Sequence, residues 1–139
     1  MVKMVKLIMG LKGSGKTKQL IELVNFAVDN EHGDVVCVER VPKLTYDIPH
    51  KVRLIDASQY WFNGYDSIKG FICGLYSANY DITHIFIDNV LRIIDRDVDK
   101  DAEDFFEWCE NFGIKEHIKF TITISVDLNK ATDRIKKYF

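Results

Sequence analysis

Cysteine is scarce in this 139-residue chain: Cys37, Cys73 and Cys109 are odd in number, far apart, and form no CxxC pair. That usage excludes a zinc finger and a disulfide framework, and reads as three buried, reduced thiols. No apolar run approaches the roughly 18 residues a membrane-spanning helix needs. At the N-terminus Val, Leu, Ile and Met are broken by Lys3 and Lys6 and run into a glycine-rich loop, so no secretory core is present. The expectation is a cytoplasmic protein without a membrane partner. An excess of charge is missing as well. Nineteen basic side chains stand against 21 acidic ones, a net charge of −2, so no overall field gathers nucleic acid.

What the chain does have is 47% hydrophobic residues with 12% aromatics, enough for a packed core at this length and too much for extended disorder. Neither internal repeat nor linker interrupts it, so residues 1–139 read as a single domain. Short apolar runs alternate with longer amphipathic ones, the pattern of a layered α/β fold. Strands are predicted at Met4 to Met9, Val35 to Val38, Val52 to Ile55, Thr83 to Ile87 and Ile118 to Ile124. Helices are predicted from Gly15 to about Asn30, Ser67 to Ala78 with Asp66 as cap, Asp101 to Phe112 ended by Gly113, and Leu128 to Tyr138 with Asp127 as cap. Pro42 and Pro49 mark Lys43 to His50 as a loop. Strands that are nearly all apolar imply a mainly parallel sheet with helices on both faces, and ligands then bind at the carboxyl ends of the strands.

One such end carries a phosphate-binding pattern. Gly10-Leu11-Lys12-Gly13-Ser14-Gly15-Lys16-Thr17 matches G-x-x-x-x-G-K-[ST] in full, after a strand and before a helix. Each residue type has a task. The glycines let the backbone turn and approach an anion, and the loop N–H groups and the helix N-terminus converge on phosphates. Lys16 brings a full charge to the terminal phosphates and the Thr17 hydroxyl suits Mg²⁺. A second feature is the apolar run His84-Ile85-Phe86-Ile87 ending in Asp88, whose carboxylate would emerge at the same edge and hold Mg²⁺ through water.

With these two motifs the whole chain resembles the P-loop NTPase superfamily, in its RecA-like (ASCE-type) branch, and small single-domain bacterial ATP-binding proteins of no assigned role. The resemblance implies a three-layer P-loop fold with five strands in the order 5-1-4-3-2. An extra strand separates the P-loop strand from the Asp88 strand, and by position that strand ends at Asp56. It also implies ATP with Mg²⁺ as ligand or substrate. Many members carry Glu directly after the strand-end Asp, where this chain has Asn89. Others supply Glu from the strand following the first helix, and Glu39 stands there. Glu39 is therefore the first candidate base and Asp56 the second. Ser125 resembles the polar position that senses the terminal phosphate. For an arginine finger Arg53, Arg92, Arg96 and Arg134 stay open, as does an arginine from a homo-oligomer or protein partner.

Three further patterns are weighed. Leu128-Asn129-Lys130-Ala131-Thr132-Asp133 has one residue too many for a guanine-reading NKxD, so ATP is expected over GTP. Asp95, Asp97, Asp99 and Asp101 alternate like a calcium loop, but Lys100 and Phe106 stand where Gly and Glu belong, which leaves an acidic helix entry. Tyr60-Trp61-Phe62 reads as a partner or base-stacking site, or as a cluster packed on the sheet. The expected function is slow Mg²⁺-dependent ATP hydrolysis by an ATPase or nucleotide switch. The alternatives are a nucleotide-binding regulator with negligible hydrolysis and a small nucleoside kinase.

Overall fold

The computed structural model describes residues 2–139. Five strands, β1 (Val5–Met9), β2 (Asp34–Glu39), β3 (Arg53–Asp56), β4 (Ile82–Ile87) and β5 (Lys119–Ile124), form one sheet in which every pairing is parallel. The helices are α1 (Lys16–Asn30), α2 (Gly64–Ala78), α3 (Val90–Ile93), α4 (Lys100–Glu116) and α5 (Asp133–Lys136), with 3₁₀ turns at Ala57–Gln59 and Leu128–Lys130.

Strand alternation divides the core in two. Val36, Val38, Ile85, Ile87, Phe120, Ile122 and Ile124 point to one face, against Ile68 and Ile72 of α2 and Phe105, Phe106 and Cys109 of α4. Val35, Cys37 and Phe86 point to the other, against Leu20, Val24 and Ala27 of α1 and Leu44, Ile48 and Val52 of the β2–β3 connection. Helices therefore cover both faces, as near-continuous apolar strands require.

The lateral order is β1-β5-β4-β2-β3, not 5-1-4-3-2. A strand does separate the P-loop strand from the Asp88 strand, but it is β5, and the strand ending at Asp56 lies at the far edge. Length and exposure explain the difference. β3 has four residues and exposes Arg53, which suits an edge, whereas every residue of β5 after Lys119 is buried. The other edge, β1, is closed by the C-terminal segment, where the Leu7 N–H donates to the Tyr138 carbonyl at 2.8 Å. Its entry is held by Glu110 of α4, whose carboxylate accepts from the N–H groups of Met4 and Val5 at 3.0–3.1 Å.

Four local expectations are corrected. Helix α2 starts at Gly64, with Asn63 as its cap residue and Asp66 inside the first turn. Helix α4 starts earlier, capped by Asp99, whose Oδ1 accepts from the Ala102 N–H at 3.0 Å. It also runs past Gly113 to Glu116 and closes on His117 at φ 59°. Gly113 serves close packing, since a Cβ there would lie 2.4 Å from the Ile118 carbonyl oxygen and 2.8 Å from the Met4 Cβ. The last predicted helix is two pieces, because Asp127 caps only the Leu128–Lys130 turn and Thr132 then caps α5. Cys73 is exposed, while Cys37 and Cys109 are buried as expected.

Candidate functional site

The loop joining β1 to α1 needs glycine for two separate reasons. Gly13 and Gly15 sit at φ 87° and 86°, a region costly for any residue with a Cβ. Gly10 instead faces its own loop, where a Cβ would lie 2.6 Å from the Ser14 Oγ. Gly15 is the residue preceding α1, so the helix opens directly onto the loop with no acidic side chain in its first turn. The free N–H groups there carry the positive end of the helix dipole.

Alternation brings the acids to the same place. Glu39 follows Val35 and Cys37, and Asp88 follows Phe86, so both share the α1 face of the sheet. A cavity of about 530 Å³ opens there, lined by Gly13, Gly15, Lys16, Thr17, Glu39, Asp88, Asn89 and Ser125. Lys12, Lys18, Arg40, Lys43 and Arg92 complete its cationic wall, so six cationic side chains face two carboxylates in a chain whose net charge is −2. Gly10, Leu11 and Ser14 shape the loop without lining the cavity.

Lys16 is buried, and its Nζ donates to the Leu11 carbonyl at 2.9 Å. Burial lowers its pKa, and the nearby Asp88 charge partly opposes that shift. The Asp88 carboxylate is aimed by β5, since the Thr123 hydroxyl donates to its Oδ1 at 2.7 Å and accepts from the Asn89 N–H at 2.7 Å. Thr123 is wholly buried and was not among the residues singled out by motif. Its signal lay in the run Phe120-Thr121-Ile122-Thr123-Ile124. A hydroxyl buried in an apolar strand needs a partner.

Glu39 is 2% exposed and has a structural duty. Its Oε1 accepts from the N–H groups of Lys43 at 2.6 Å and Leu44 at 3.0 Å, which folds the β2–β3 connection over the cavity. Its Oε2 accepts no bond from the described residues. The two carboxylates, together with burial, push the Cys37 thiol well above its ordinary range, burial being the larger cause. Asp56 is not brought to the cavity. Its Oδ1 accepts from Ser58 N at 2.9 Å and Ser58 Oγ at 2.6 Å, and those bonds hold the carboxyl below its usual range.

Asn89 stands between Asp88 and α3 at φ 61°, and its Oδ1 is buried without a partner among the described residues. It lines this cavity and also a second one of about 410 Å³, walled by Asp95, Arg96, Asp97 and Asp99. Arg92 and Ser125 line both. Tyr60 and Phe62 pack on Phe71, with ring centroids 5.9 and 5.0 Å away, while Trp61 is fully exposed. Among the described residues no group of three or more His, Cys, Asp or Glu is arranged to hold a metal, and no helix is long and apolar enough to cross a membrane.

No protein-family model matches the sequence, and no curated protein does. Solved structures do match in fold. The flagellar accessory protein FlaH from Methanocaldococcus jannaschii superposes with a TM-score of 0.58 at 15% sequence identity, over 96% of this chain. This chain spans 65% of that structure's length. At that identity the likeness shows a shared α/β fold with a parallel sheet.

Proposed function

We propose that this chain binds ATP with Mg²⁺ in the 530 Å³ cavity and hydrolyses it slowly, as an ATPase or nucleotide-driven switch. One observation carries the reading: Lys16, Thr17 and Asp88 share a cavity whose wall is strongly cationic and whose floor is a helix N-terminus opened by two glycines at positive φ. A polyphosphate fits that field, with loop N–H groups and Lys16 on its oxygens. The Thr17 hydroxyl and the Asp88 carboxylate are hard oxygen donors, suited to a Mg²⁺ ion that keeps most of its water and reaches the protein through one or two ligands. When bound, that ion supplies charge neutralisation between the terminal phosphates.

The chain's own groups then have separate parts. Glu39, through Oε2, takes the proton of the attacking water. Ser125, which lines the same cavity, offers its hydroxyl to the terminal phosphate. Water oxygen bonds to the terminal phosphorus, the bond to the bridging oxygen breaks, and ADP leaves with that electron pair. A single chain is read as one nucleotide-binding domain.

A second reading, a nucleotide-binding regulator with negligible turnover, is favoured by the two N–H groups already bound to Glu39 Oε1, which give this carboxylate a structural task in holding the β2–β3 connection. ATP affinity and steady-state phosphate release separate the two. Lys16→Ala is expected to lose ATP binding, and retained affinity refutes the pocket assignment. Glu39→Gln is expected to bind ATP and lose turnover, and unchanged turnover removes Glu39 as base.

A further inference from the structure

Of the four arginines open as a finger, three are turned away from the phosphate cavity. Arg134 is held by Asp104 and Glu107, each at 2.9 Å. Arg96 donates to Asn63 Oδ1 at 3.2 Å and to the Asp95 carbonyl at 3.0 Å, and lines only the second cavity. Arg53 lies exposed on the edge strand β3. Arg92 alone of the four lines the cavity that holds Lys16, Thr17, Glu39 and Asp88, and its guanidinium has no anionic partner among the described residues.

Its mounting is rigid. Helix α3 begins directly after Asp88 and Asn89, and the Asn89 carbonyl accepts from the N–H groups of Arg92 and Ile93 at 3.0 and 3.2 Å. The Asn89 N–H is pinned to Thr123, and Val90, Leu91, Ile93 and Ile94 are all buried. The core therefore fixes the base of this side chain, and the residue lines the cavity. Arg40 also lines the cavity, but at the head of the β2–β3 connection, whereas Arg92 stands between the buried Leu91 and Ile93. A fixed cation neutralises developing charge without reorganising as the reaction proceeds.

We infer that Arg92 is the catalytic arginine for the terminal phosphate, supplied by the same chain that binds the nucleotide, so that no arginine from a neighbour is required. The inference rests on the ATPase reading above. As the bond to the bridging oxygen breaks, negative charge gathers there and on the three oxygens of the transferring phosphoryl group. A guanidinium can meet two of those oxygens at once.

The test uses the full chain, with ATP binding measured first and phosphate release then followed across a range of protein concentrations. Expected results are a per-subunit rate independent of concentration, and an Arg92→Ala variant that keeps its ATP affinity and KM while kcat falls about 1,000-fold. Guanidinium chloride at millimolar levels should restore part of the Arg92→Ala rate, which a merely structural role would not allow. Arg53→Ala should leave the rate unchanged, and Arg40→Ala should cost less than Arg92→Ala. A rate per subunit that rises with concentration overturns the inference. So does an Arg92→Ala rate equal to wild type, or ATP binding without phosphate release at any concentration. Absence of ATP binding is a different result, and it refutes the reading of the cavity itself.

Discussion

Replacing Thr123 by Val changes one buried atom group and tests how the site is held. The side chain is wholly buried, and valine has nearly its shape, so no cavity opens. Two hydrogen bonds are lost, both 2.7 Å long. The bond to the Asp88 carboxylate is charge-assisted, about 1.5–3 kcal/mol, and the abandoned Asn89 N–H adds about 1–3 kcal/mol. Water in the cavity can partly replace the donor to Asp88, so the lower part of the range applies, about 2–4 kcal/mol together. For a chain of this size that is a fall in Tm of roughly 6–16 °C. Urea unfolding should show a lower midpoint with an unchanged slope. Thr123→Ser is the control. It keeps the hydroxyl and loses one methyl group, about 1 kcal/mol. If Thr123→Ser destabilises more than Thr123→Val, packing rather than hydrogen bonding fixes this strand, and the reasoning is refuted. The valine variant should also bind ATP with weaker Mg²⁺ dependence, because Asp88 loses its orientation.

Two glycines should respond with opposite signs to the same substitution. Gly15→Ala meets no atom within 4 Å, so its cost is the φ of 86° alone, about 1–2 kcal/mol. Gly70→Ala lies within helix α2 with equally open space and should stabilise by about 0.5–1 kcal/mol. Thermal melts of the two variants check the pair, and a stabilised Gly15→Ala would contradict the backbone assignment. Acid stability gives a further handle at the opposite end of the sheet. Burial works against the Glu31 charge, but the hydrogen bond and charge of His84, with Lys119 and Thr83, outweigh it and hold the carboxyl below its ordinary 4.5. A depressed carboxyl stabilises the fold above its ordinary value, and that contribution is lost as pH falls through the folded value. Wild type should therefore lose stability below about pH 4.5 more steeply than Glu31→Gln, measured as unfolding free energy between pH 7 and 3, and equal slopes would discount the His84 contact.

Composition and spacing made the strands and the P-loop legible because both are local. A run such as Val35-Val36-Cys37-Val38, short and β-branched, suits a strand covered on both faces, and the Gly10 to Thr17 spacing marks a strand-to-helix loop. Lateral order is not local. Val52 to Ile55 and Ile118 to Ile124 look alike as apolar runs, and nothing along the chain states which is inserted beside β1. The hint lay in polarity. Thr121 and Thr123 occupy one face of an otherwise apolar strand, and each hydroxyl finds a partner, His84 on β4 at 2.8 Å and Asp88 just after it at 2.7 Å. A strand carrying such groups has to lie next to the residues that satisfy them. Gly113 failed as a stop signal for a similar reason. Its value comes from the approach of Met4 and Ile118, which are distant or only later in the chain.

The observed order also has a consequence for charge. Neighbouring strands lie about 4.8 Å apart, so inserting β5 sets the Asp88 strand about 10 Å from the strand that leads into the P-loop. Lys16 turns to the Leu11 carbonyl, Asp88 is steadied by Thr123, and no salt bridge joins them. On the other flank β2 lies one spacing away, and besides burial both the Asp88 and the Glu39 carboxylate act on Cys37 of that strand. The cavity of about 530 Å³ that Lys16, Glu39 and Asp88 line opens at the carboxyl ends of these strands. On the proposed reading, strand order keeps the lysine and the aspartate available for a ligand that carries charges of both signs.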